Sequence, residues 1–324
     1  MTSNGTPLGA QQQQQQQHQH QTNFPPPPNY LEHGRLYSGF RKGKYMFPVD
    51  EAEMDRMDIY HKFFSVARRE QLHARAFIPN YDKGPRILDL GCGTGIWAID
   101  MAEKYHHQYA EVIGIDLAVI QPAKIPPNLT FLQRDIESPW YGLDLEAYDL
   151  IHMRMLAGSL QSWPDTYAKI FRHLKPGFGW LEHVEIDMAP RCDDHTAPPN
   201  SKLVEWTAAL MDATARAYRP LTYNHDTGNL LERQGFVDIQ EEVIKIPLNP
   251  WEKDPHAKDI GRWYNLGLTQ GLQALSLGPM TRMLGWTPAQ VEALTAEVKR
   301  EVCAKKHHFY CNMHIWTARR PAAA

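Results

Sequence analysis

The most constraining feature of this sequence is a glycine-rich motif, Asp89-Leu-Gly-Cys-Gly-Thr-Gly95. A short apolar run over 86–90 precedes the motif, and a segment with helical periodicity over 96–105 follows it. The three glycines permit positive φ angles and carry no Cβ, so the backbone of the turn can come close to a bound ligand. A strand, a glycine-rich turn and a helix in this order predict a Rossmann-like sheet that binds its ligand at the turn.

Strands and helices alternate through the rest of the chain. Further buried strands are predicted over 111–116, 129–133, 148–153, 179–186, 236–248 and 309–317. With helices such as 163–174 between them, they imply a parallel sheet covered by helices on both faces. A helix is also expected over 51–78, and helical insertions at about 190–222 and 249–306. We therefore predict an α/β fold, a Rossmann-like seven-stranded sheet with helical insertions. The fold family, and not the sequence itself, places the last strand antiparallel beside the fifth.

The order of residues in the motif distinguishes two kinds of ligand. Dinucleotide-binding dehydrogenases have G-x-G-x-x-G, with backbone amides facing a pyrophosphate, whereas this motif is G-x-G-x-G after the acidic Asp89. S-adenosylmethionine has no phosphate and carries an ammonium and a sulfonium, so an acidic residue beside the turn suits it. Asp116 ends the next strand and can accept both ribose hydroxyls. Asp135 can accept from the adenine amino group, with Ile136 against the ring. These residues favour S-adenosylmethionine as the ligand, and with it the fold of class I methyltransferases. The alternative to cofactor binding is a glycine turn with a purely structural role.

These features define a predicted cofactor site. Its members are Asp89, Gly91, Gly93, Gly95, Asp116, Asp135, Ile136 and Met153, the last of which ends the fourth strand. Ligands of open parallel sheets bind at the carboxyl ends of the strands. Other side chains expected at that edge are His152, Arg154, His183, Glu185 and Asp187. No catalytic base is identified, and one is needed only where the acceptor carries a proton. The fourth strand lacks the Asn/Asp-Pro-Pro-Tyr pattern of many amino-group methyltransferases, which disfavours amino groups as acceptors.

A group of cysteines and histidines near the C-terminus is a candidate zinc site. It comprises Cys303, His307, His308, Cys311 and His314. The spacing fits no standard zinc finger. Cys311 and His314 would also face opposite sides of a strand. No metal site is predicted.

The N-terminal segment has the composition of a disordered tail. A glutamine run over 11–17 and a proline run over 25–28 offer too little apolar surface to offset the entropy of ordering. Order is expected to begin near Tyr45. The predicted organisation is a disordered Gln/Pro-rich tail over 1–44 and a methyltransferase domain over 45–324.

Composition excludes several classes of protein. The formal net charge of −3 provides no basic field for direct binding of nucleic acid. No apolar run of about 18 residues suggests a membrane span, and the N-terminus does not resemble a secretory signal. Four scattered cysteines indicate free thiols in a reducing compartment.

Several longer motifs resemble those of one family. They lie at 48–51, 89–97, 137–140, 179–187, 190–194, 259–268 and 314–320. From about Tyr45 to Pro321 the chain resembles the fungal LaeA-type methyltransferases, the methyltransferase-like subunit of velvet regulatory complexes. The resemblance implies a nuclear regulator of secondary-metabolite gene clusters and development, with velvet-domain proteins as partners and the cytoplasm as a second location. It also implies self-methylation of a methionine side chain.

Three functions remain open at this point. The first is an S-adenosylmethionine-dependent regulator in a velvet complex. The second is a small-molecule methyltransferase of secondary metabolism, and the third is a non-catalytic scaffold that keeps the cofactor. If the protein methylates itself, Met188, just past the fifth strand, is the candidate acceptor, with Met153 and Met155 as rivals. Alternatively, all three methionines simply pack the pocket wall.

Overall fold

The computed structural model describes residues 27–74 and 84–323, and its centre is a seven-stranded sheet. A hairpin of β1 (Tyr30–Glu32) and β2 (Arg35–Tyr37) precedes the sheet. The sheet contains β3 (Arg86–Leu90), β4 (Glu111–Asp116), β5 (Leu129–Gln133), β6 (Leu150–Arg154), β7 (Trp180–Arg191), β8 (Val237–Pro247) and β9 (Tyr310–Arg319). Its strand order is β5-β4-β3-β6-β7-β9-β8. β9 runs antiparallel between β7 and β8, so the predicted fold class is confirmed.

Seven helices surround this sheet in the described part of the chain. They are α1 (Glu51–Ala67), α2 (Ile96–Lys104), α3 (Trp163–His173), α4 (Lys202–Arg216), α5 (Thr227–Gln234), α6 (Pro255–Leu284) and α7 (Pro288–Cys303). The Asp254 side chain accepts from the Ala257 backbone N–H and begins α6. A capping box of Thr287 and Gln290 begins α7. The helices predicted for the two insertions are present, α4 in the first and α6 and α7 in the second.

The two faces of the sheet bury separate cores. On one face, α1, α4, α6 and α7 pack against the β7–β9 region and bury Phe63, Trp206 and Tyr264. On the other face, α3 and α5 bury Tyr167 and Leu231. The Tyr60 ring of α1 packs edge-on against the Tyr264 ring of α6, with 5.9 Å between the ring centroids. The second insertion therefore holds α1 in place over the carboxyl edge of the sheet.

Helix α1 is shorter than the sequence predicts. It ends at Ala67, and Arg69 and Glu70 both have positive φ angles. The Arg68 side chain turns inward to pair with the buried Glu182 carboxylate at 2.7 Å. The prediction of a helix to about 78 is wrong from residue 68 to 74, because this buried contact outweighs local helical periodicity. The predicted end at 78 lies outside the described residues.

The predicted tail is ordered over part of its length. Tyr37 is fully buried. Arg282 of α6 holds Glu32 with both Nε and Nη2, and Arg35 pairs with Asp50. The chain then passes so close to α6 that a Cβ on Gly278 would lie 2.2 Å from the Met46 carbonyl oxygen. The prediction of disorder to residue 44 is wrong for 30–44, because the Arg282–Glu32 pair ties this segment to a helix 250 positions away in the chain. Residues 1–26 lie outside the described residues.

Strand β7 is longer than predicted. The prediction ended it at 186, but it continues to Arg191 because β9 pairs with it beyond that point. Met188 therefore lies within the strand and not in a loop. This position matters for the choice of methyl acceptor.

Two buried tyrosines provide a test of the packing. The Tyr37 hydroxyl has no hydrogen-bond partner among the described residues, and burial raises its pKa to about 12. The Tyr167 hydroxyl lies 3.0 Å from His183 Nδ1. We expect Tyr37→Phe to leave the free energy of unfolding unchanged or to raise it slightly, and Tyr167→Phe to lower it by about 1 kcal/mol. Urea denaturation of both variants measures this difference, and a larger loss in Tyr37→Phe would contradict the packing described.

Candidate active site

The turn after β3 is held by the neighbouring strand β4. Gly91, Gly93 and Gly95 all have positive φ angles. The backbone N–H groups of Gly91 and Cys92 donate to the Ile115 carbonyl oxygen at 2.8 and 3.0 Å. The turn is thus fixed by backbone contacts, and its open side faces a cleft.

Asp116 connects the turn to the end of β4. Its Oδ2 accepts from the Gly93 N–H and its Oδ1 from the Ala118 N–H, both at 2.8 Å. Burial raises the pKa of the carboxyl, although these two hydrogen bonds oppose the shift. Each carboxylate oxygen can accept a further hydrogen bond. The carboxylate is therefore oriented to receive the two hydroxyls of a ribose.

A cleft of about 1090 Å³ opens at this edge of the sheet. Gly91, Gly93, Asp116, Asp135 and Ile136 line it, as the sequence predicts for a bound nucleoside. Residues that the sequence analysis did not assign also line it, among them Lys44, Tyr45, Arg56, Met57, Tyr60 and Phe64. The latter come from the N-terminal segment and from α1, which together form one wall of the cleft.

Asp135 is held by several partners inside the cleft. The Lys44 ammonium donates to its Oδ2, the Glu137 N–H donates to Oδ1 at 2.9 Å, and the Ser138 hydroxyl donates to Oδ2 at 3.1 Å. Burial would raise the pKa of this carboxyl, but Lys44 and the other donors outweigh burial and hold the pKa below its ordinary value. Lys44 was missed because it falls in the predicted tail, and no local pattern indicated its role.

Three residues of the predicted cofactor site do not line the cleft. Asp89 is buried and lies 2.8 Å from His152 Nδ1, so it does not hold the turn amides. Met153 is fully buried on the α3 face, because side chains alternate along a strand. Gly95 precedes α2, where a Cβ would lie 2.3 Å from Phe131 Cζ. The structure therefore corrects these three assignments from ligand contact to support of the turn and the core.

Asp89 should give folding a distinctive pH dependence. Burial raises its pKa to about 7. Because the folded-state pKa is the higher one, the stability that Asp89 contributes is present below its unfolded pKa of about 4 and is lost as the pH rises through about 7. We expect the stability advantage of wild type over Asp89→Asn to fall by a few kcal/mol across that window, about 1.4 kcal/mol for each pKa unit.

Urea denaturation at each pH measures this change. The exposed Asp55→Asn on α1 is the control, for which the difference from wild type should stay constant. A pH-independent difference for Asp89→Asn would show that the carboxyl ionises normally.

Comparison with known proteins identifies the family. A family model described as "Methyltransferase domain" matches residues 61–241. The secondary metabolism regulator LAE1 of Cochliobolus heterostrophus is 58% identical over 323 residues, which cover 99% of each chain. The secondary metabolism regulator laeA of Fusarium oxysporum f. sp. lycopersici is 44% identical over 296 residues, 90% of this chain and 92% of that protein. This chain belongs to the LaeA family of methyltransferases. The predicted resemblance and the predicted enzyme class, an S-adenosylmethionine-dependent methyltransferase, are confirmed.

Phosphoethanolamine N-methyltransferase 2 of Haemonchus contortus, in complex with S-adenosylmethionine, aligns with a TM-score of 0.48 at 17% identity, covering 81% of this chain and 53% of that one.

The candidate methyl acceptor of this LaeA-family chain is not where the sequence placed it. Met188 lies in β7, is 8% exposed, and packs in the core between the sheet and the helical insertions. Met57 and Met155 line the cleft instead. Met155 has a φ of 58°, at the point where the chain leaves β6. The prediction of Met188 as acceptor is wrong in placement, because β7 extends further than expected.

The charged side chains of β7 support the cleft from behind. Glu185 Oε1 accepts from the Leu156 N–H at 2.7 Å and the Ala157 N–H at 3.1 Å. Leu156 lines the cleft, so Glu185 fixes the segment that follows β6. His183 and Asp187 are buried beside it and do not line the cleft. No catalytic base is assigned to this strand.

The cysteines and histidines near the C-terminus are dispersed. Cys311 is buried in the core, whereas His314 Nδ1 lies 2.7 Å from Glu241 Oε1 on the opposite face of β9. Within 27–74 and 84–323 no group of three or more His, Cys, Asp or Glu residues is arranged to hold a metal ion. In the same ranges, none of the helices combines the length and apolar character of a membrane span.

Proposed function

We propose that the methyl transfer of this chain serves the regulation of secondary-metabolite gene clusters and development. The observation that carries the proposal is the 58% identity to a protein named a secondary metabolism regulator, over 99% of both chains. The turn and Asp116 in the cleft support a regulator that keeps its methyltransferase site and is not reduced to a scaffold.

Different residues of the cleft would bind different parts of S-adenosylmethionine. Asp116 would hold the ribose hydroxyls, and Asp135 with Ile136 would hold the adenine. When bound, S-adenosylmethionine supplies an activated methyl group on a sulfonium. Tyr60 and Phe64 of α1 line the same cleft. Their rings would exclude water and orient the acceptor, which is most of what methyl transfer needs.

The acceptor is proposed to be a methionine of the chain itself. A thioether has no proton to remove, which fits a cleft with no assigned base. Met155 is the favoured position, because it lines the cleft where the chain leaves β6 at the carboxyl edge of the sheet. After incubation with labelled S-adenosylmethionine, peptide mass spectrometry should find label that is lost in Met155→Leu and kept in the matched core variant Met188→Leu. Label that persists in Met155→Leu would reject the assignment.

The cellular setting is proposed from the family. We place the chain in the nucleus, with the cytoplasm as a second location, in a complex with velvet-domain proteins. The test is expression in a Cochliobolus heterostrophus strain that lacks its own LAE1 protein, with Asp116→Ala and the exposed Asp144→Ala as matched variants. Wild type and Asp144→Ala should restore gene-cluster transcripts and co-purify velvet-domain proteins from the nuclear fraction.

Each alternative function gives a different result in this experiment. If the protein is a non-catalytic scaffold, the Asp116→Ala variant should restore transcripts as wild type does. A small-molecule methyltransferase would restore one metabolite but recover no velvet-domain protein. The first outcome would contradict regulation through methyl transfer. The second would contradict a regulator that works in a complex with velvet-domain proteins.

A further inference from the structure

One arginine of the cleft is held in an unusual way. Arg154 ends β6 and lines the cleft. Its guanidinium lies over the Phe64 ring, 4.4 Å from the centroid, and its Nη2 lies 3.4 Å from His61 Nδ1. His61 Nε2 in turn lies 2.9 Å from Asp100 Oδ2, which leaves His61 Nδ1 to accept from Arg154. An aromatic ring and a histidine ring nitrogen thus fix this cation in position.

Arg154 has no acidic partner among the described residues. No carboxylate oxygen in 27–74 or 84–323 lies within 4.0 Å of its nitrogens, whereas Lys44 and Arg56 pair with Asp135 and Glu53. The nearby Asp89 is engaged by His152. Burial lowers the pKa of Arg154 to about 10, and Asp89 offsets this only in part. A partly buried guanidinium without an anion is costly, so the arrangement calls for an anion from a ligand.

We propose that Arg154 binds the carboxylate of the amino-acid part of S-adenosylmethionine. This inference rests on the proposed use of Asp116 and Asp135 for the nucleoside. The planar guanidinium presents pairs of N–H donors that match the two oxygens of a carboxylate. An ammonium or a hydroxyl would not provide this match.

The strand order places Arg154 at the correct end of the ligand. Asp135 follows β5 and Asp116 ends β4, while β6 lies on the other side of β3. Neighbouring strands are about 4.8 Å apart, so the ends of β4 and β6 are separated by about 10 Å. A ligand with its adenine at β5 and its ribose at β4 crosses the glycine turn after β3. Its amino-acid part then reaches Arg154.

An acceptor could supply the same carboxylate chemistry. Decarboxylated S-adenosylmethionine separates the two sources, because it keeps the nucleoside, the sulfonium and the ammonium and lacks only the carboxylate. The experiment is calorimetric titration of the full chain with each compound, without any acceptor. Wild type should bind S-adenosylmethionine at least about tenfold more tightly than the decarboxylated compound.

The variants assign that preference to one side chain. Arg154→Met should weaken the binding of S-adenosylmethionine by about 10- to 100-fold and the binding of the decarboxylated compound by less than about threefold. Arg154→Lys keeps the charge but not the paired donors, so its affinity for S-adenosylmethionine should lie between those of wild type and Arg154→Met. This variant keeps the test available if Arg154→Met does not fold. Arg134→Met also removes a cation of the cleft, but Arg134 donates to the Tyr141 carbonyl, and the preference should be unchanged.

Three results would overturn the proposal. Equal binding of both compounds by wild type would exclude the cofactor as the source of the carboxylate and point to the acceptor. Equal weakening of both compounds in Arg154→Met would show a structural role only. Failure of wild type to bind either compound would reject the proposed cofactor site together with this assignment.

Discussion

Replacing Asp116 with alanine should lower the affinity for S-adenosylmethionine by about a hundredfold or more. The carboxylate would lose its bonds to the ribose, and the Gly93 and Ala118 N–H groups would lose their acceptor. A hydrogen bond that involves a charged group contributes about 1.5–3 kcal/mol, so the loss of two exceeds a hundredfold. Calorimetry with purified full-length protein measures the change.

Two further variants sharpen this test. Asp116→Asn keeps the shape of the side chain and one acceptor oxygen, and should bind more tightly than Asp116→Ala but less tightly than wild type. The exposed Asp144→Ala removes the same charge at a distance and should bind as wild type does. Unchanged affinity in Asp116→Ala would contradict the placement of the ribose.

Replacing Arg68 with methionine should lower the free energy of unfolding by about 3–5 kcal/mol. Arg68 Nη1 lies 2.7 Å from Glu182 Oε1, and the two side chains are 6% and 1% exposed. Burial alone would raise the pKa of Glu182, but Arg68 outweighs burial and holds the pKa below its ordinary value. Without Arg68, the Ala74 N–H is the only hydrogen-bond donor to this buried carboxylate within 27–74 and 84–323.

A surface arginine provides the matched control. Arg86 pairs with Glu111 and Asp144, which are 56% and 70% exposed, so Arg86→Met should cost less than about 1 kcal/mol. The double variant Arg68→Met/Glu182→Gln should recover part of the lost stability, because the unpaired charge is gone. A loss in Arg68→Met no larger than in Arg86→Met would show that the buried pair does not anchor α1.

Local patterns predicted the fold where the structure depends on local order. The strands β3, β4 and β5 agree with the sequence prediction, because hydrophobic runs are local signals. The end of α1 depends on Arg68 and the distant Glu182, and the length of β7 depends on β9. The hairpin β1–β2 has strands of three residues, too short to show a periodicity.

The residues of the site also divide into those with a local sequence signal and those that depend on tertiary contacts. Asp116 was predicted because it follows the glycine motif at a fixed distance. Lys44 and Phe64 come from segments with no motif, and only the tertiary fold brings them to the cleft. Alternation along β6 distinguishes Met153 from Arg154: Met153 faces α3, and Arg154 faces α1 and the cleft. That alternation was a usable signal, since His152 and Arg154 are polar and the residues between and before them are apolar.

The most direct test of this account is a crystal structure of the full chain with S-adenosylhomocysteine at a saturating concentration. We expect the ligand in the cleft at the turn after β3, with both ribose hydroxyls within about 3.2 Å of the Asp116 carboxylate. The adenine should lie against Ile136. A nucleoside bound elsewhere, or bound in the cleft with its ribose away from Asp116, would contradict the account.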